Sequence, residues 1–390
     1  MDQLLGQDRA SEVLQRQLAS GRLHHAYIFH GPVGVGKCTA ALAFARVLLC
    51  PNAQPDLAGQ VTACGDCESC RLLHDPTVEP VDADGEAGSA ATAHPDLHII
   101  RKELCSNSSV NTVRNRKQMN IPVDLLRELV IGGTTSDGRY HDAAAHKSAR
   151  MRHGKVFIID EAELLDQAGQ NALLKTLEEP PPGTTLILVT ASEDRLLPTI
   201  RSRCQRVAFV PLSDQAVDQW LDQQDSDLGD DDRQWLKLFA GGSLGRARIA
   251  LDYDLIEWAR TVLPAIDAIT KGQSPGKLGM TLATMIDEFA KAWVGDRPKA
   301  SKEAANKLAA GLMWSLIAAH ARQRMQSQAG QCDPSDPIAS EHSLTPWLAI
   351  IDALREAERL LATNVNLSLV CDHLVGQIEQ SITSAAPQAT

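Results

Sequence analysis

Apolar residues in this chain fall into short runs that end on polar or glycine residues, and into longer stripes with helical spacing. Ala26-Tyr27-Ile28-Phe29, Val156-Phe157-Ile158-Ile159 and Leu186-Ile187-Leu188-Val189-Thr190 are short runs that predict buried strands. Ala40 to Leu49 and Gln170 to Glu179 carry a helical pattern, and Pro180-Pro181-Pro182 stops the second helix. Strands alternating with helices predict an α/β class with a parallel sheet whose ligands gather at its carboxyl edge. From Leu212 to about Tyr253 the pattern breaks into short helices around an acidic loop, and from Leu255 onward it is helical. There Leu308, Leu312 and Leu316 recur every four residues, and Leu354, Leu360, Leu361, Leu367 and Leu369 line later helices. Residues 326–342, rich in Gln, Ser, Pro and Asp, predict a loop, as do residues 131–154.

The strand at Ala26 runs into His30-Gly31-Pro32-Val33-Gly34-Val35-Gly36-Lys37-Cys38-Thr39, which has the Walker A spacing. Gly31, Gly34 and Gly36 let backbone N–H groups wrap a triphosphate, and Lys37 reaches its outer phosphates. A helix N-terminus following the loop adds its dipole to that anion site. The position after the lysine calls for Ser or Thr, whose hydroxyl holds Mg²⁺. Here it is Cys38, a poor ligand for a hard cation, and Thr39 comes one residue and about 100° of helix rotation late. ATP binding is expected of this loop, while its Mg²⁺ step is in question.

The strand at Val156 ends in Asp160-Glu161, the Walker B pattern. Asp160 would sit near the metal and Glu161 could orient a water. Four cysteines share a second pattern: Cys64-x-x-Cys67-x-x-Cys70, preceded by Cys50 at the end of the loop's helix. In a reducing compartment such spacing predicts a metal site rather than a disulfide framework. A closed set of four thiolates suits structural zinc, and an iron–sulfur cluster is the rival reading. Cys105, Cys332 and Cys371 lack partners at metal spacing and read as packing or surface residues.

Composition narrows the field. The 390 residues imply two or three domains, and the net charge of −11 does not favour nucleic acid as a direct ligand. Arg101-Lys102, Arg114-Asn115-Arg116-Lys117 and the stretch from Lys147 to Lys155 are basic clusters, each read as solvated surface. No apolar run is long enough to cross a bilayer and the start lacks a signal pattern, so no membrane association and a cytoplasmic location are expected.

Ile200-Arg201-Ser202-Arg203-Cys204 closes the α/β region. The order of P-loop, paired carboxylates, strand ending in Thr190 and Ser-Arg-Cys resembles the bacterial DNA polymerase III clamp-loader subunits of the AAA+ class, delta-prime and gamma/tau. Gly6-Gln7, the run from Gly21 to Ala26, His94-Pro95-Asp96, the segment from Ala172 to Pro181 and Asn364-Val365-Asn366-Leu367 extend that resemblance over nearly the full length. It implies an AAA+ core over 1–211 with a zinc module inserted at about 50–70, a helical lid domain over 212–254 and an all-α collar domain for oligomerisation over 255–390. It further implies that Arg203 is an arginine finger acting in trans, that Thr190 faces the nucleotide, and that a sensor arginine follows Gly242-Ser243-Leu244. That place holds Gly245, with Arg246 displaced by one. The function implied is that of a delta-prime-type member of a ring with gamma/tau and delta subunits, loading the sliding clamp onto primed DNA. An active gamma/tau-like ATPase, and a zinc-bearing DNA-binding module with a vestigial nucleotide site, are the alternatives.

Overall fold

The computed structural model describes residues 4–56, 59–73, 94–115, 120–151, 153–224, 228–274, 276–297, 301–329, 337–363 and 365–385. Arg116, Lys117, Cys332 and Asn364 lie outside the described residues. The strands are β1 (Ala26–His30), β2 (Gln54–Pro55), β3 (Val61–Thr62), β4 (Leu97–Ile100), β5 (Gly133–Thr134), β6 (Tyr140–His141), β7 (Lys155–Ile159), β8 (Thr184–Thr190) and β9 (Gln205–Ala208). The first helices are α1 (Asp8–Ser20), α2 (Lys37–Leu49), α3 (Glu68–Leu72), α4 (Asn111–Arg114), α5 (Val123–Leu126), α6 (Gln167–Glu178), α7 (Pro198–Arg201) and α8 (Asp214–Asp222). They are followed by α9 (Asp230–Ala240), α10 (Leu244–Asp252), α11 (Leu255–Thr270), α12 (Leu278–Asp296), α13 (Lys302–Ala329), α14 (Pro337–Ala362) and α15 (Leu367–Ala385).

Two compact units divide the chain: residues 1–226 with 241–245, and residues 227–240 with 246–390. The first is built on a five-stranded sheet in the order β4-β7-β8-β1-β9, with every neighbouring pair parallel. All five residues of β7 are buried, as are Ala26 to Phe29 of β1, because both faces of a parallel sheet are covered. Phe157, Ile159, Leu186 and Leu188 meet Leu173 and Leu177 of α6 in the main core. The α/β class with a parallel sheet is therefore as expected. The periodicity left out β4 and β9, whose four-residue runs are too short to stand out.

Two expected loops contain regular structure. Within 131–154, β5 and β6 pair as an antiparallel ribbon, and residues 144–146 form a single 3₁₀ turn. The expected loop at 326–342 is helical at both ends, since α13 continues to Ala329 and α14 starts at Pro337, a residue suited to a first helical turn.

The second unit is helical. Its helices α12, α13, α14 and α15 pack on one another, and Leu278, Leu282, Ile286 and Phe289 of α12 are buried. Asp267 of α11 accepts from His320 of α13 at 2.7 Å and pairs with Arg324, which ties those two helices together.

Candidate nucleotide site and metal centre

β1 and α2 are joined by the glycine loop at the carboxyl edge of the sheet, with Gly36 capping the helix in the left-handed region. Gly34, at φ 76°, is packed from above: a Cβ there would stand 2.2 Å from Ser243 Oγ. The Gly245 N–H donates to Gly34 O at 3.0 Å, and a Cβ on Gly245 would come within 2.9 Å of Gly34 Cα. Gly245 is thus a point of close backbone approach to the loop.

Lys37 is buried, and its ammonium donates to the Gly31 carbonyl at 2.7 Å and to the Pro32 carbonyl. Burial lowers its pKa, against the opposing pull of Glu163 and Asp160. Thr190 ends β8 opposite His30 in the register and is buried, its Oγ1 accepting from the Ser192 N–H at 3.0 Å. Lys37, Cys38, Asp160 and Thr190 therefore come together at one sheet edge.

Next to this edge is a pair of residues that sequence reasoning assigned to plain surface. β4 lies beside β7 with Ile100 opposite Ile159, so the next residues, Arg101 and Lys102, emerge beside Asp160 and Glu161. Arg101 Nε is 3.4 Å from Asp160 Oδ2, and its Nη2 donates to Cys38 Sγ at 3.6 Å. Lys102 Nζ donates to Glu161 Oε1 at 2.8 Å. Burial works against the Arg101 charge, and the Asp160 carboxylate beside it favours that charge. Burial, reinforced by Asp160, pushes the Cys38 thiol up to about 11. Glu161 sits in the left-handed region at φ 51°, and burial raises its pKa against the pull of Lys102. A hard divalent cation does not fit the donors beside the glycine loop, which are a protonated thiol and a carboxylate already facing a guanidinium.

Two other expected site residues make contacts of their own. Arg246 holds its guanidinium 4.7 Å from the centre of the Phe239 ring, inside the second unit. Arg203 follows α7 and precedes β9, and Gln205 is opposite Tyr27. Arg203 therefore sits in the turn that enters β9 at the amino edge of the sheet, while the glycine loop begins after His30 at the other edge, about 13 Å of strand away. Arg203 Nη2 pairs with Glu178 Oε1 at 2.8 Å and its Nη1 donates to the Thr199 carbonyl at 3.0 Å, with the side chain 36% exposed.

The four cysteines form a separate centre. Cys50 caps the end of α2, Cys67 caps the start of α3 and Cys70 lies within α3. Their sulfurs and that of Cys64 all lie within 4.8 Å of one another. Sγ–Sγ distances of 3.6 Å (Cys50 to Cys64), 3.9 Å (Cys50 to Cys67) and 3.9 Å (Cys64 to Cys70) match the edge of about 3.8 Å that a tetrahedron with Zn–S near 2.3 Å requires. The Cys64 and Cys70 N–H groups donate to Cys50 Sγ and Cys67 Sγ at 3.4 Å, as suits thiolate ligands. Cys50, Cys64, Cys67 and Cys70 can hold zinc. Gln15 anchors the insert to α1 through both Val61 backbone groups, and buried Ser69 bonds the Leu49 carbonyl and His94.

The family described as DNA polymerase III, delta subunit, matches residues 6–213, which carry both the phosphate loop and the cysteine centre. The chain belongs to that family. It is delta-prime-like, with gamma/tau relatives. The delta' subunit of Escherichia coli is 28% identical over 370 residues, covering 91% of this chain and 95% of that protein. That of Pseudomonas aeruginosa is 32% identical over 234 residues, 60% of this chain and 57% of that protein. The gamma/tau subunit of Mycobacterium tuberculosis is 29% identical over 292 residues, and the match takes in 73% of this chain but only 41% of the relative. No helix among the described residues is long and apolar enough to cross a membrane.

Proposed function

We propose that this chain is a delta-prime subunit of a DNA polymerase III clamp loader, built into a ring with gamma/tau and delta subunits that loads the sliding clamp onto primed DNA in the cytoplasm. It supplies Arg203 to the ATP site of a neighbouring subunit and does little hydrolysis of its own. The three-part organisation of core to 211, lid over 212–254 and collar over 255–390 belongs to this proposal, as does a place for Arg246 near the nucleotide.

One observation carries the reading. Arg203 stands at the sheet edge opposite its own glycine loop, partly exposed and held by an exposed carboxylate, a carbonyl and a long contact to the Ser202 hydroxyl. An exposed ion pair of that kind is worth little and exchanges readily for a stronger anion. A guanidinium so placed can serve a phosphate outside its own subunit, where an arginine finger stabilises charge on the transferring phosphoryl group. Cys38 and Gly245, which stand where an active site wants a hydroxyl and an arginine, weigh against the motor reading. The acidic net charge gives the DNA-binding reading no support.

Co-expression with gamma/tau and delta subunits, followed by ATPase assays with and without this chain, tests the proposal. The chain should co-purify with them, show negligible turnover alone and be needed for full clamp-stimulated turnover. Brisk Mg²⁺-dependent turnover by the isolated chain, abolished in Lys37→Ala, would instead establish a motor.

A further inference from the structure

Metal-dependent phosphate loops need two things beside the lysine: a hydroxyl that binds the cation, and a carboxylate free to hold the cation's water shell. Here the hydroxyl position is Cys38, and Asp160 and Glu161, the carboxylates that follow β7, are each faced by a cation just past β4, Arg101 and Lys102 respectively; Glu163, near Lys37, is a third carboxylate, which accepts from the Ala191 N–H. The register that sets Ile100 opposite Ile159 brings Arg101 beside Asp160, and Lys102, which opens the 3₁₀ turn after β4, reaches Glu161 from there.

We propose that Arg101 is the built-in cation of this phosphate loop: its guanidinium, held between Cys38 and Asp160, takes the place of a divalent metal, so the loop binds nucleoside polyphosphates without one. Three facts support this. Arg101 touches both groups that would flank the metal, Cys38 through Nη2 at 3.6 Å and Asp160 through Nε at 3.4 Å. The Nε, although buried and close to Asp160, makes no hydrogen bond. Its contact with Asp160 is therefore one of charge, and the remaining guanidinium edge can turn toward an anion. Cys38, kept as a thiol, repels no anion and offers a dication nothing.

Lys37, Arg101 and Lys102 bring three positive charges to an edge that also holds the carboxylates of Glu103, Asp160, Glu161 and Glu163. Arginine suits the role because its planar fork can meet a carboxylate along one edge and a phosphate along another. The inference concerns this chain's own loop and does not depend on any action of Arg203 in a neighbouring site.

The test is equilibrium binding of a fluorescent N-methylanthraniloyl ATP to the purified full chain, in Mg²⁺ and in excess EDTA. The two dissociation constants should agree within about twofold, since the cation is covalently part of the protein. Arg101→Ala should weaken binding in EDTA by about tenfold or more, the loss of one charge-assisted contact. Adding Cys38→Thr to Arg101→Ala should then produce binding that Mg²⁺ strengthens by about tenfold. Binding by the wild-type chain that weakens about tenfold in EDTA would overturn the proposal, as would no binding in either medium. So would unchanged affinity of Arg101→Ala in EDTA. The wild-type comparison stands even if a variant fails to fold.

Discussion

Arg101 and Asp160 lie side by side because they end two neighbouring parallel strands in register, one residue past the opposed pair Ile100 and Ile159. Cys38, the third member of that group, is held as a thiol by burial and by Asp160, with a pKa of about 11. A thiol reacts as its thiolate, and at pH 8 a pKa of 11 leaves roughly a hundredfold less thiolate than an ordinary cysteine has. Alkylation by iodoacetamide followed by peptide mapping should therefore find Cys38 about a hundredfold slower than a free cysteine. Its rate should climb as pH rises toward 11. Fast labelling at pH 8 would mean the thiol is ionised, and its arrangement with Arg101 would be wrong.

The cysteine centre should contain one zinc per chain by elemental analysis. Cys64→Ser should lose most of that zinc and loosen the segment around residues 50–73, seen as faster proteolysis there. The five-stranded sheet should remain folded, since the module hangs from the end of α2 and is tied to α1 through Gln15. Full zinc occupancy in Cys64→Ser would remove that residue from the ligand set, and iron in place of zinc would favour a cluster.

Gly34→Ala should destabilise the first unit by about 1–3 kcal/mol, the usual size of a strained backbone position. Two causes are separable. Its φ of 76° is unfavourable for any side chain, and its Cβ would meet Ser243 Oγ at 2.2 Å. Ser243→Ala removes the second cause alone, so the double variant should be more stable than the sum of the single effects in urea unfolding. Simple additivity would show that the segment does not press on the loop.

Met280 on α12 and Leu369 on α15 are large apolar residues left exposed on helices that pack against each other. If this helical unit joins the ring, Met280→Asp with Leu369→Asp should weaken co-purification with gamma/tau and delta subunits while the monomer's thermal unfolding hardly moves. Normal incorporation of this variant would exclude that face from the assembly.

The parts of the site that were legible in the sequence are those written in consecutive residues. The glycine loop, Asp160-Glu161 and the cysteine spacing each carry their geometry locally, in a turn, a strand end or a helix cap. Arg101 and Lys102 were not legible because their meaning depends on which strand β4 pairs with, and on the register of a strand more than fifty residues away. Three apolar residues interrupted by His98, from Leu97 to Ile100, gave too weak a signal for a strand, and the cations after it read as surface. Gly245 is a related case. The sequence shows a missing arginine, while only the packed loop shows that its backbone lies against Gly34.

Arg203 provides the most direct test of the account. A loader rebuilt from gamma/tau, delta and this chain carrying Arg203→Ala should assemble normally, and pre-steady-state phosphate release should then be measured with clamp and primed DNA present. Loss of an arginine finger costs on the order of a thousandfold at the site it serves, so the burst should fall by one site per ring while the other sites continue. Arg203→Lys should not restore it, because lysine keeps the charge and loses the planar fork. An unchanged burst in Arg203→Ala would make Arg203 a structural residue paired with Glu178 and would contradict the proposed role.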